Sequence, residues 1–365
     1  MKKRIILQAI SELGDGGVET MLMNIYKNID KNKFQFVFMV QNDSRKYADE
    51  ISRYGGYIVQ IKPLKEVGIL EYIKSVENVC INEHVDVIHC HNLNQNLILL
   101  YAAKKAGVKI RISHSHLTTC FSKYAKILMP IIRMGINRLA TVKLACGCEA
   151  GKFLYGTKDY ILINNAIDLE KYISCEKDTE TIKRELGINN KKIILHVGRL
   201  SEQKNHIYLV KIIQELVKTN NDIILLCCGK GPKYQEIYDI ITKYGLHSYI
   251  KLLGSRNDID ALMKISDLML LPSLYEGFPV SLVESQASGL KAIVSDSVDK
   301  KSDLGLGLID FLPIKENDIY QWSKLIIQYL NSGYIVPDNR YNILTEKGYN
   351  SKINSKLLED IYSEN

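Results

Sequence analysis

Two glutamates flanking the predicted start of a helix are the residues best placed for chemistry. Glu276 and Glu284 enclose Gly277-Phe278-Pro279-Val280, a segment whose pattern predicts a loop followed by a helix that opens near Pro279. Main-chain N–H groups at such a helix start bind anions. Glu284, about one turn into the helix, suits hydrogen bonds from a ribose diol, and Glu276 in the loop is placed to meet a sugar.

Glycines and cations follow three predicted strands in the same half of the chain. Gly198 and Arg199, with Lys204 close by, follow one strand, and Gly229 and Arg256 follow the next two. The forked guanidinium of arginine and the point charge of lysine together suit a diphosphate. Each residue alone fits a solvated turn, so the predicted phosphate site depends on their joint occurrence at strand ends, where parallel sheets bind ligands.

The first half contains another glycine-rich turn. Gly16 and Gly17 follow the first predicted strand and precede a predicted helix, so their main chain can approach a ligand closely. An anion site and a plain strand-to-helix turn both fit this pattern.

Two His-x-His pairs end two predicted strands, at positions 89 and 91 and at positions 114 and 116. Exposure at a strand end is the default interpretation of such residues. His114 and His116 share parity in their strand, so both side chains are expected on one face, and either can face a ligand. The two spacings do not indicate a metal site.

The elements that position these residues are short apolar runs that alternate with helix-length amphipathic segments. Continuous apolar strands separated by helices predict parallel sheets covered on both faces. A polar passage at 169–190 separates two series of runs, so we predict two doubly wound α/β domains, 1–167 and 168–341. The predicted strands are 4–9, 34–40, 57–61, 85–89, 109–114, 144–146 and 161–163, then 193–197, 223–228, 250–253, 268–271 and 292–295.

Composition excludes several classes of protein. The chain has 365 residues, 46% of them hydrophobic and 24% charged, which is the balance of a globular protein. No apolar run reaches the roughly 20 residues that span a bilayer, and the first residues predict a buried strand rather than a signal peptide. The eight cysteines form no CxxC pair, so we expect no zinc site or disulfide framework and a cytoplasmic location. The net charge of +7 comes without a nucleic-acid-binding signature, which disfavours nucleic acid as a partner.

A basic amphipathic segment covers 121–143. It is rich in Leu, Ile and Met, lacks acidic residues, and contains Lys123, Lys126, Arg133, Arg138 and Lys143. Such a segment can lie on anionic lipids, which would place the protein peripherally on the inner face of the cell membrane. A helix with an interior apolar face and a solvated basic face is the alternative.

Together, the motifs of the second half resemble those of the retaining glycosyltransferases of family four, the glycosyl transferases group 1. The stretch from Glu276 to Glu284 is similar to the E-x7-E motif of that family. Its diphosphate-binding turn and its other nucleotide loops resemble, in the same order, Gly198-Arg199-Leu200 with Lys204-Asn205, Gly229-x-Gly231-Pro232 and Gly254-Ser255-Arg256. The resemblance implies the GT-B fold, in which two Rossmann-like domains face a central cleft and the C-terminal helix, here about 342–365, packs back on the first domain.

The resemblance also implies roles for single residues. Arg199 and Lys204 would neutralise the donor diphosphate, Glu276 would bind the donor sugar and Glu284 its ribose. His114, or alternatively His116, would contact the donor sugar near the reacting carbon. The remaining donor-binding positions are Gly16, Gly17, Gly198, Gly229, the main chain at Arg256, Gly277, Phe278, Pro279 and Val280.

The implied reaction moves a hexose or N-acetylhexosamine from a UDP-sugar to a saccharide acceptor, expected to be lipid-linked, in capsular or exopolysaccharide synthesis. Retention of the anomeric configuration is implied, without a metal or another cofactor. A glycoside hydrolase would use two carboxylates but would leave the cations without a role. A nucleotide-sugar 2-epimerase shares the architecture and needs no acceptor, and a non-catalytic sugar-nucleotide-binding subunit would bind without turnover.

Overall fold

The computed structural model describes residues 2–14, 16–42, 46–119, 123–174, 178–188 and 190–364, without the side chains of 123–126. The chain forms two compact units. The first contains Met1–Ala166 and Asn350–Asn365, and the second contains Ile167–Tyr349.

The first unit is built on a parallel sheet of seven strands in the order β3-β2-β1-β4-β5-β6-β7. Strand β1 lies inside this sheet and pairs with β2 on one side and with β4 on the other. The order reverses beside β1, which makes the sheet doubly wound. In chain order its elements are β1 (Arg4–Ala9), α1 (Gly17–Asn28), β2 (Phe34–Val40), α2 (Ala48–Arg53), β3 (Tyr57–Gln60), α3 (Leu64–Asn82), β4 (Val87–Cys90), α4 (Asn96–Lys105), β5 (Ile110–Ser115), α5 (Lys123–Leu139), β6 (Val142–Ala145), α6 (Cys148–Tyr155) and β7 (Ile161–Leu162).

The second unit has a parallel sheet of six strands in the order β10-β9-β8-β11-β12-β13. Its elements are α7 (Leu169–Ile173), α8 (Thr179–Leu186), β8 (Lys192–Val197), α9 (His206–Leu216), β9 (Ile223–Cys228), α10 (Tyr234–Lys243), β10 (Ile250–Gly254), α11 (Ile259–Ile265), β11 (Leu268–Leu271), α12 (Val280–Ser288), β12 (Ala292–Ser295), β13 (Ile309–Leu312), α13 (Ile319–Ser332) and α14 (Arg340–Glu346). A last helix, α15 (Ser351–Ser363), returns to the first unit.

Each sheet separates two hydrophobic cores. Alternate residues of a strand point to opposite faces, so Ile6 and Leu7 in β1 enter different cores, as do Ile194 and Leu195 in β8. This two-sided burial explains why the strands are continuous apolar runs rather than alternating ones.

The sequence pattern missed one strand, β13. Asp310 interrupts its apolar residues, and Asp310, Phe311 and Leu312 are only partly buried, because β13 pairs with β12 alone at the edge of its sheet. A search for continuous apolar runs overlooks such an edge strand.

The C-terminal stretch is two helices rather than the single helix of about 342–365 that the family resemblance implied. Gly348 adopts a φ of +82° just after α14, and the side chain of Asn350 caps the next helix by accepting from the Lys352 N–H. The return to the first unit therefore begins at Asn350 rather than at 342, and α14 belongs to the second unit. Within the described ranges, no helix is both long and apolar enough to cross a membrane.

Candidate functional site

Main-chain hydrogen bonds join the loops at the carboxyl end of the second sheet. The Gly198 N–H donates to the Cys228 carbonyl at 2.9 Å, and the Gly229 N–H donates to the Gly254 carbonyl at 2.8 Å. The turns after β8, β9 and β10, which were predicted from separate motifs, thus form one connected surface.

Close approach of main chain to main chain explains two of the glycines. A Cβ atom on Gly229 would lie 2.0 Å from the Gly198 carbonyl oxygen, and Gly229 also has a φ of +146°. A Cβ atom on Gly231 would lie 2.2 Å from the Leu200 carbonyl oxygen. The connected surface can therefore form only if these positions lack side chains.

An ion pair links the two motifs on which the phosphate and sugar predictions depend. Lys204 Nζ lies 2.6 Å from Glu276 Oε1, and the side chains are only 15% and 10% exposed. Lys204 ends a short 3-10 helix, Glu202–Lys204, and the neighbouring Gln203 carbonyl accepts from the Leu274 N–H at 2.8 Å. An ammonium group has three donors, so Lys204 can hold Glu276 and still bind an anion.

The Glu284 carboxylate forms a hydrogen bond with Tyr172, a residue of the same unit. Its Oε1 accepts a hydrogen bond from the Tyr172 hydroxyl at 2.6 Å, and the residue is 8% exposed. Burial raises the pKa of the Glu284 carboxyl, while the Tyr172 hydrogen bond and the charge of Lys171 oppose that rise. A ribose diol at this position would therefore share the carboxylate with Tyr172, a partner that the sequence motif did not indicate.

The two predicted arginines differ in their availability. Arg256 forms a two-point ion pair with Asp258, with Nη2 2.6 Å from Oδ2 and Nε donating to Oδ1 at 2.9 Å. Arg199 is exposed and makes no side-chain hydrogen bond or ion pair with any residue that the structure describes. The Arg256 side chain is thus engaged, whereas the Arg199 side chain is not paired with any described residue. The contact of the main chain at 256 with a base stays a prediction.

The start of α12 lies in the segment that was predicted to bind an anion. Pro279 precedes the helix as its N-cap residue, one position before the first helical residue, and its side chain makes no capping hydrogen bond. Gly277 is exposed, and a Cβ atom there would meet nothing within 4 Å. Phe278 instead packs on the core, with its ring stacked on Tyr349 at a centroid distance of 5.2 Å.

A buried histidine pair lies beneath the Lys204 turn. The rings of His196 and His206 are 4.5 Å apart, and His196 Nδ1 lies 2.8 Å from the Leu270 carbonyl oxygen. Burial, and then the charge of Lys204, lowers the pKa of His206 to about 4.

We expect the second unit to lose stability as the pH falls from 6.5 to about 4. In this window His206 is protonated in the unfolded chain but not in the folded one, so the free energy of unfolding rises with pH. The shift corresponds to about 3 kcal/mol. Urea unfolding followed by the fluorescence of Trp322, the one tryptophan, measures this unit. Burial also lowers the pKa of His196, so His206→Leu should reduce the pH dependence without abolishing it, and an unchanged slope would contradict the assignment.

The first unit brings four histidines together at the ends of two paired strands, β4 and β5. His89 Nε2 lies 3.2 Å from His114 Nδ1, and His91 Nδ1 lies 2.9 Å from His116 Nε2. The rings of His114 and His116 are 4.0 Å apart, which agrees with their shared parity. His89 and His114 are fully buried and His91 nearly so, so the expectation of exposure at strand ends is wrong for these three.

The histidine cluster is electrically neutral because it is buried. Burial, and then the neighbouring histidines, lowers the pKa of His89, His91 and His114 well below the usual value. Burial lowers the pKa of His116 to about 4, and Asn165, whose side chain lies near without a hydrogen bond of ordinary geometry, weakly opposes this.

Sequence reasoning missed the other members of the histidine cluster. Gln8 in β1 and Tyr362 in α15 complete it through hydrogen bonds to His91 and His89. One atom each of His89, His91 and His114 lie within 4.8 Å of one another, close enough to share a metal ion. In the sequence, this cluster was indicated by two His-x-His pairs at the ends of neighbouring strands. The absence of a metal from the reaction stays a prediction.

The glycine turn of the first unit starts α1. Gly16 is the N-cap residue of α1, and Asp15, which directly precedes the two predicted glycines, lies outside the described residues. A Cβ atom on Gly16 would lie 2.1 Å from the Glu19 carboxylate, which covers this helix start. An anion at Gly16 and Gly17 would have to displace Glu19.

The sequence of this chain is similar to those of known glycosyltransferases. A family model described as Glycosyl transferases group 1 matches residues 178–350. A Bacillus subtilis protein named as a glycosyltransferase, EpsF, is 34% identical over 98% of this chain and 96% of its own length. An Escherichia coli protein, UDP-Gal:alpha-D-GlcNAc-diphosphoundecaprenol alpha-1,3-galactosyltransferase, is 27% identical over 74% of this chain and 72% of its own length.

Solved structures agree on the fold. The crystal structure of HepE from Anabaena in complex with UDP-glucose matches with a TM-score of 0.76, covering 98% of this chain and 99% of HepE. At 17% sequence identity, the similarity to HepE concerns the fold alone.

Proposed function

This chain belongs to the glycosyl transferases group 1 family, glycosyltransferases with the GT-B fold, and we propose that it transfers a hexose or N-acetylhexosamine from a UDP-sugar to a lipid-linked saccharide. The observation that carries this proposal is the Lys204–Glu276 ion pair beside the exposed Arg199 and the start of α12. The E. coli relative acts on a diphosphoundecaprenol-linked sugar, and the HepE crystal contains UDP-glucose, which supports both substrate classes. Synthesis of a surface polysaccharide is the corresponding role.

The chemistry we propose is stabilisation of a leaving diphosphate. Negative charge develops on the UDP oxygens as the glycosidic carbon separates from them, and Arg199, Lys204 and the N–H groups of α12 are pre-arranged donors for it. Glu276, held by Lys204, would accept hydrogen bonds from the sugar. The acceptor would then attack on the same face of the sugar, assisted by the leaving diphosphate, so the anomeric configuration would be retained. These cations would replace a metal ion.

The decisive experiment incubates the purified chain with UDP-sugars, with and without a lipid-linked saccharide and a chelator. We expect UDP release to require the acceptor, to continue in the chelator, and to yield a product with the donor's anomeric configuration by NMR. Conversion of the sugar without any acceptor would favour a 2-epimerase. Binding of UDP-sugars without turnover would favour a non-catalytic subunit.

We also propose that α5 contacts the inner face of the membrane. Its buried side includes Met129 and Ile136, whereas its exposed side carries Ile127 (76% exposed), Ile131 (61%) and Met134 (68%) at helical spacing. The solvent-exposed face of α5 therefore carries apolar side chains as well as basic ones, a combination that suits a helix lying at a membrane surface. The side chains of Lys123 and Lys126 lie outside the described residues, and Arg133 donates to the Phe153 carbonyl.

The double substitution Ile131→Glu and Met134→Glu is expected to weaken binding to phosphatidylglycerol-containing vesicles at least tenfold, because each apolar side chain contributes about 1.5–3 kcal/mol on burial. Co-sedimentation with vesicles measures the binding. Ile69→Glu with Leu70→Glu is the matched control, since those residues are 58% and 80% exposed in the same unit. Equal losses in both double variants, or full binding by the α5 variant, would contradict the membrane assignment.

A further inference from the structure

The first helix of the second unit, α7, is bonded to the carboxylate of α12. The Tyr172 hydroxyl of α7 donates to Glu284 Oε1 at 2.6 Å, although the two residues are 112 positions apart in the sequence. The Tyr172 ring belongs to the same hydrophobic core as Leu282 and Val283, which flank Glu284 in α12. Packing of the ring therefore sets the position of the hydroxyl relative to the carboxylate.

The two carboxylate oxygens of Glu284 differ in their contacts. Oε1 receives the Tyr172 proton, whereas Oε2 receives no hydrogen bond from any residue that the structure describes. The last side-chain torsion of a glutamate is broad, so an unbonded carboxylate turns easily. The bond to Tyr172 restricts that rotation and leaves Oε2 with its acceptor capacity. Glu284 is 8% exposed, so a ligand can still reach it.

Helix α7 also supplies a positive charge beside this buried acid. Burial, and to a lesser extent the charge of Asp260 in α11, raises the pKa of the Glu284 carboxyl, while the Tyr172 hydrogen bond and the charge of Lys171 lower it. Lys171 Nζ lies 3.4 Å from Asp260 Oδ1 and 5.6 Å from the centre of the Tyr172 ring. The hydroxyl and the ammonium group of α7 thus both favour the ionised carboxylate, the form that only accepts hydrogen bonds.

We propose that Tyr172 is a positioning residue that fixes the Glu284 carboxylate for the ribose diol, and that it thereby makes binding selective for ribonucleotides over their 2′-deoxy analogues. The contact of Glu284 with a ribose rests on the proposed function. Packing does not require the hydroxyl of Tyr172, because the ring alone fills the same space in the core. A 2′-deoxyribose has one hydroxyl fewer to donate, so it gains less from a fixed and ionised carboxylate.

Calorimetry of the full chain with UDP and with 2′-deoxy-UDP measures this selectivity without an acceptor or turnover. We expect the unaltered protein to bind UDP about tenfold more tightly than the analogue, because the extra hydroxyl bonds to a charged acceptor. Tyr172→Phe should lower the affinity for UDP about tenfold and that for the analogue much less, so the ratio should fall towards one. Tyr329→Phe is the matched control, since the Tyr329 hydroxyl also donates to a carboxylate of this unit, that of Asp310, and this variant should keep the selectivity.

The pH dependence of the selectivity separates the roles of the two α7 side chains. UDP and its analogue carry the same phosphates, so ionisation of the phosphates cancels in the ratio of affinities. Lys171→Met keeps the Tyr172 hydrogen bond but raises the pKa of the Glu284 carboxyl, so this variant should lose its selectivity at a higher pH than the unaltered protein does. Tyr172→Phe should lack the selectivity at every pH. Both variants retain Asp260 and also Arg340 of α14, which bonds to the Ala287 carbonyl near the other end of α12.

A double-variant cycle tests whether Tyr172 acts through Glu284. In a Glu284→Gln background, Tyr172→Phe should have no further effect on the affinity for UDP. Losses that add, or a Tyr172→Phe protein that binds UDP as tightly as before or more tightly, would overturn the positioning role. If Tyr172→Phe fails to fold, Lys171→Met keeps the test decisive, because an unchanged pH dependence of the selectivity in that variant would contradict control of Glu284 by α7.

The same titrations separate this inference from the proposed function. Equal affinities of the unaltered protein for UDP and 2′-deoxy-UDP would overturn the inference and leave a UDP-sugar donor standing. Selective binding of UDP without transfer to any acceptor would reject only the proposed reaction. A protein that binds no UDP would reject both.

Discussion

Lys204→Ala is expected to lower kcat/KM for the donor by about 10³-fold, with Glu276→Gln lowering it by about 10²-fold. Lys204 would both stabilise the leaving diphosphate and hold Glu276 against the donor sugar, since the two side chains are 2.6 Å apart. Loss of the lysine therefore removes two interactions, whereas loss of the glutamate charge removes one. Initial rates over a range of donor concentrations, at a fixed acceptor concentration, measure both effects.

Stability has to be separated from activity in this experiment. Lys204→Ala leaves the Glu276 carboxylate, only 10% exposed, without its cation, which we expect to cost about 3 kcal/mol. The double variant with Glu276→Gln should recover most of that stability, because the uncompensated charge is gone, yet its kcat/KM should stay at least as low as that of Lys204→Ala. Activity that returns together with stability would contradict a direct role for Lys204.

A matched ion pair elsewhere in the unit provides the control. Lys211 Nζ lies 2.7 Å from Glu316 Oε1, nearly the same separation, but its side chains are 38% and 75% exposed. Lys211→Ala should change the free energy of unfolding by less than about 1 kcal/mol and leave turnover intact. A loss of activity as large as that of Lys204→Ala would show that removal of any lysine from this unit is harmful.

Topology explains how much of this site could be predicted from the sequence. Parallel strands end at one edge of their sheet, so residues just beyond separate apolar runs must gather there, as Gly198, Gly229 and Gly254 do. The ends of the strands and the start of α12 at Pro279 could be predicted from short stretches of sequence. The ion pair between Lys204 and Glu276 does not, since it depends on side-chain conformations and on two loops far apart in sequence.

The histidine cluster marks the limit of such reasoning. A histidine at the end of a strand is usually exposed. Here His89 and His91 are buried because they form hydrogen bonds with Tyr362 of α15 and Gln8 of β1. No local pattern links Tyr362 to His89. Burying a polar side chain without a hydrogen bond costs free energy. The burial of these histidines can therefore be predicted only when the partners that the fold brings to them are known.

Gly229→Ala is the second substitution with a large expected effect. The new Cβ atom would lie 2.0 Å from the Gly198 carbonyl oxygen, and the φ of +146° is one that alanine rarely adopts. Overpacking and backbone strain typically cost about 1–3 kcal/mol each, so we expect the second unit to lose about 4 kcal/mol. Urea unfolding followed by Trp322 fluorescence measures that loss directly.

Gly229→Ala should also weaken UDP binding by the protein that remains folded, an effect separate from its loss of stability. The steric conflict falls on the Gly198 carbonyl, directly before Arg199, so relief of the clash must move the turn that carries this cation. We therefore expect the affinity for UDP to fall at least about tenfold, which corresponds to about 1.4 kcal/mol of lost contact with the phosphates. Calorimetry without urea, at a temperature at which the variant is folded, measures this affinity. Gly277→Ala, whose Cβ atom meets nothing within 4 Å, should leave the unfolding curve unchanged. A folded Gly229→Ala protein with unaltered UDP affinity would mean that the diphosphate does not bind at this turn.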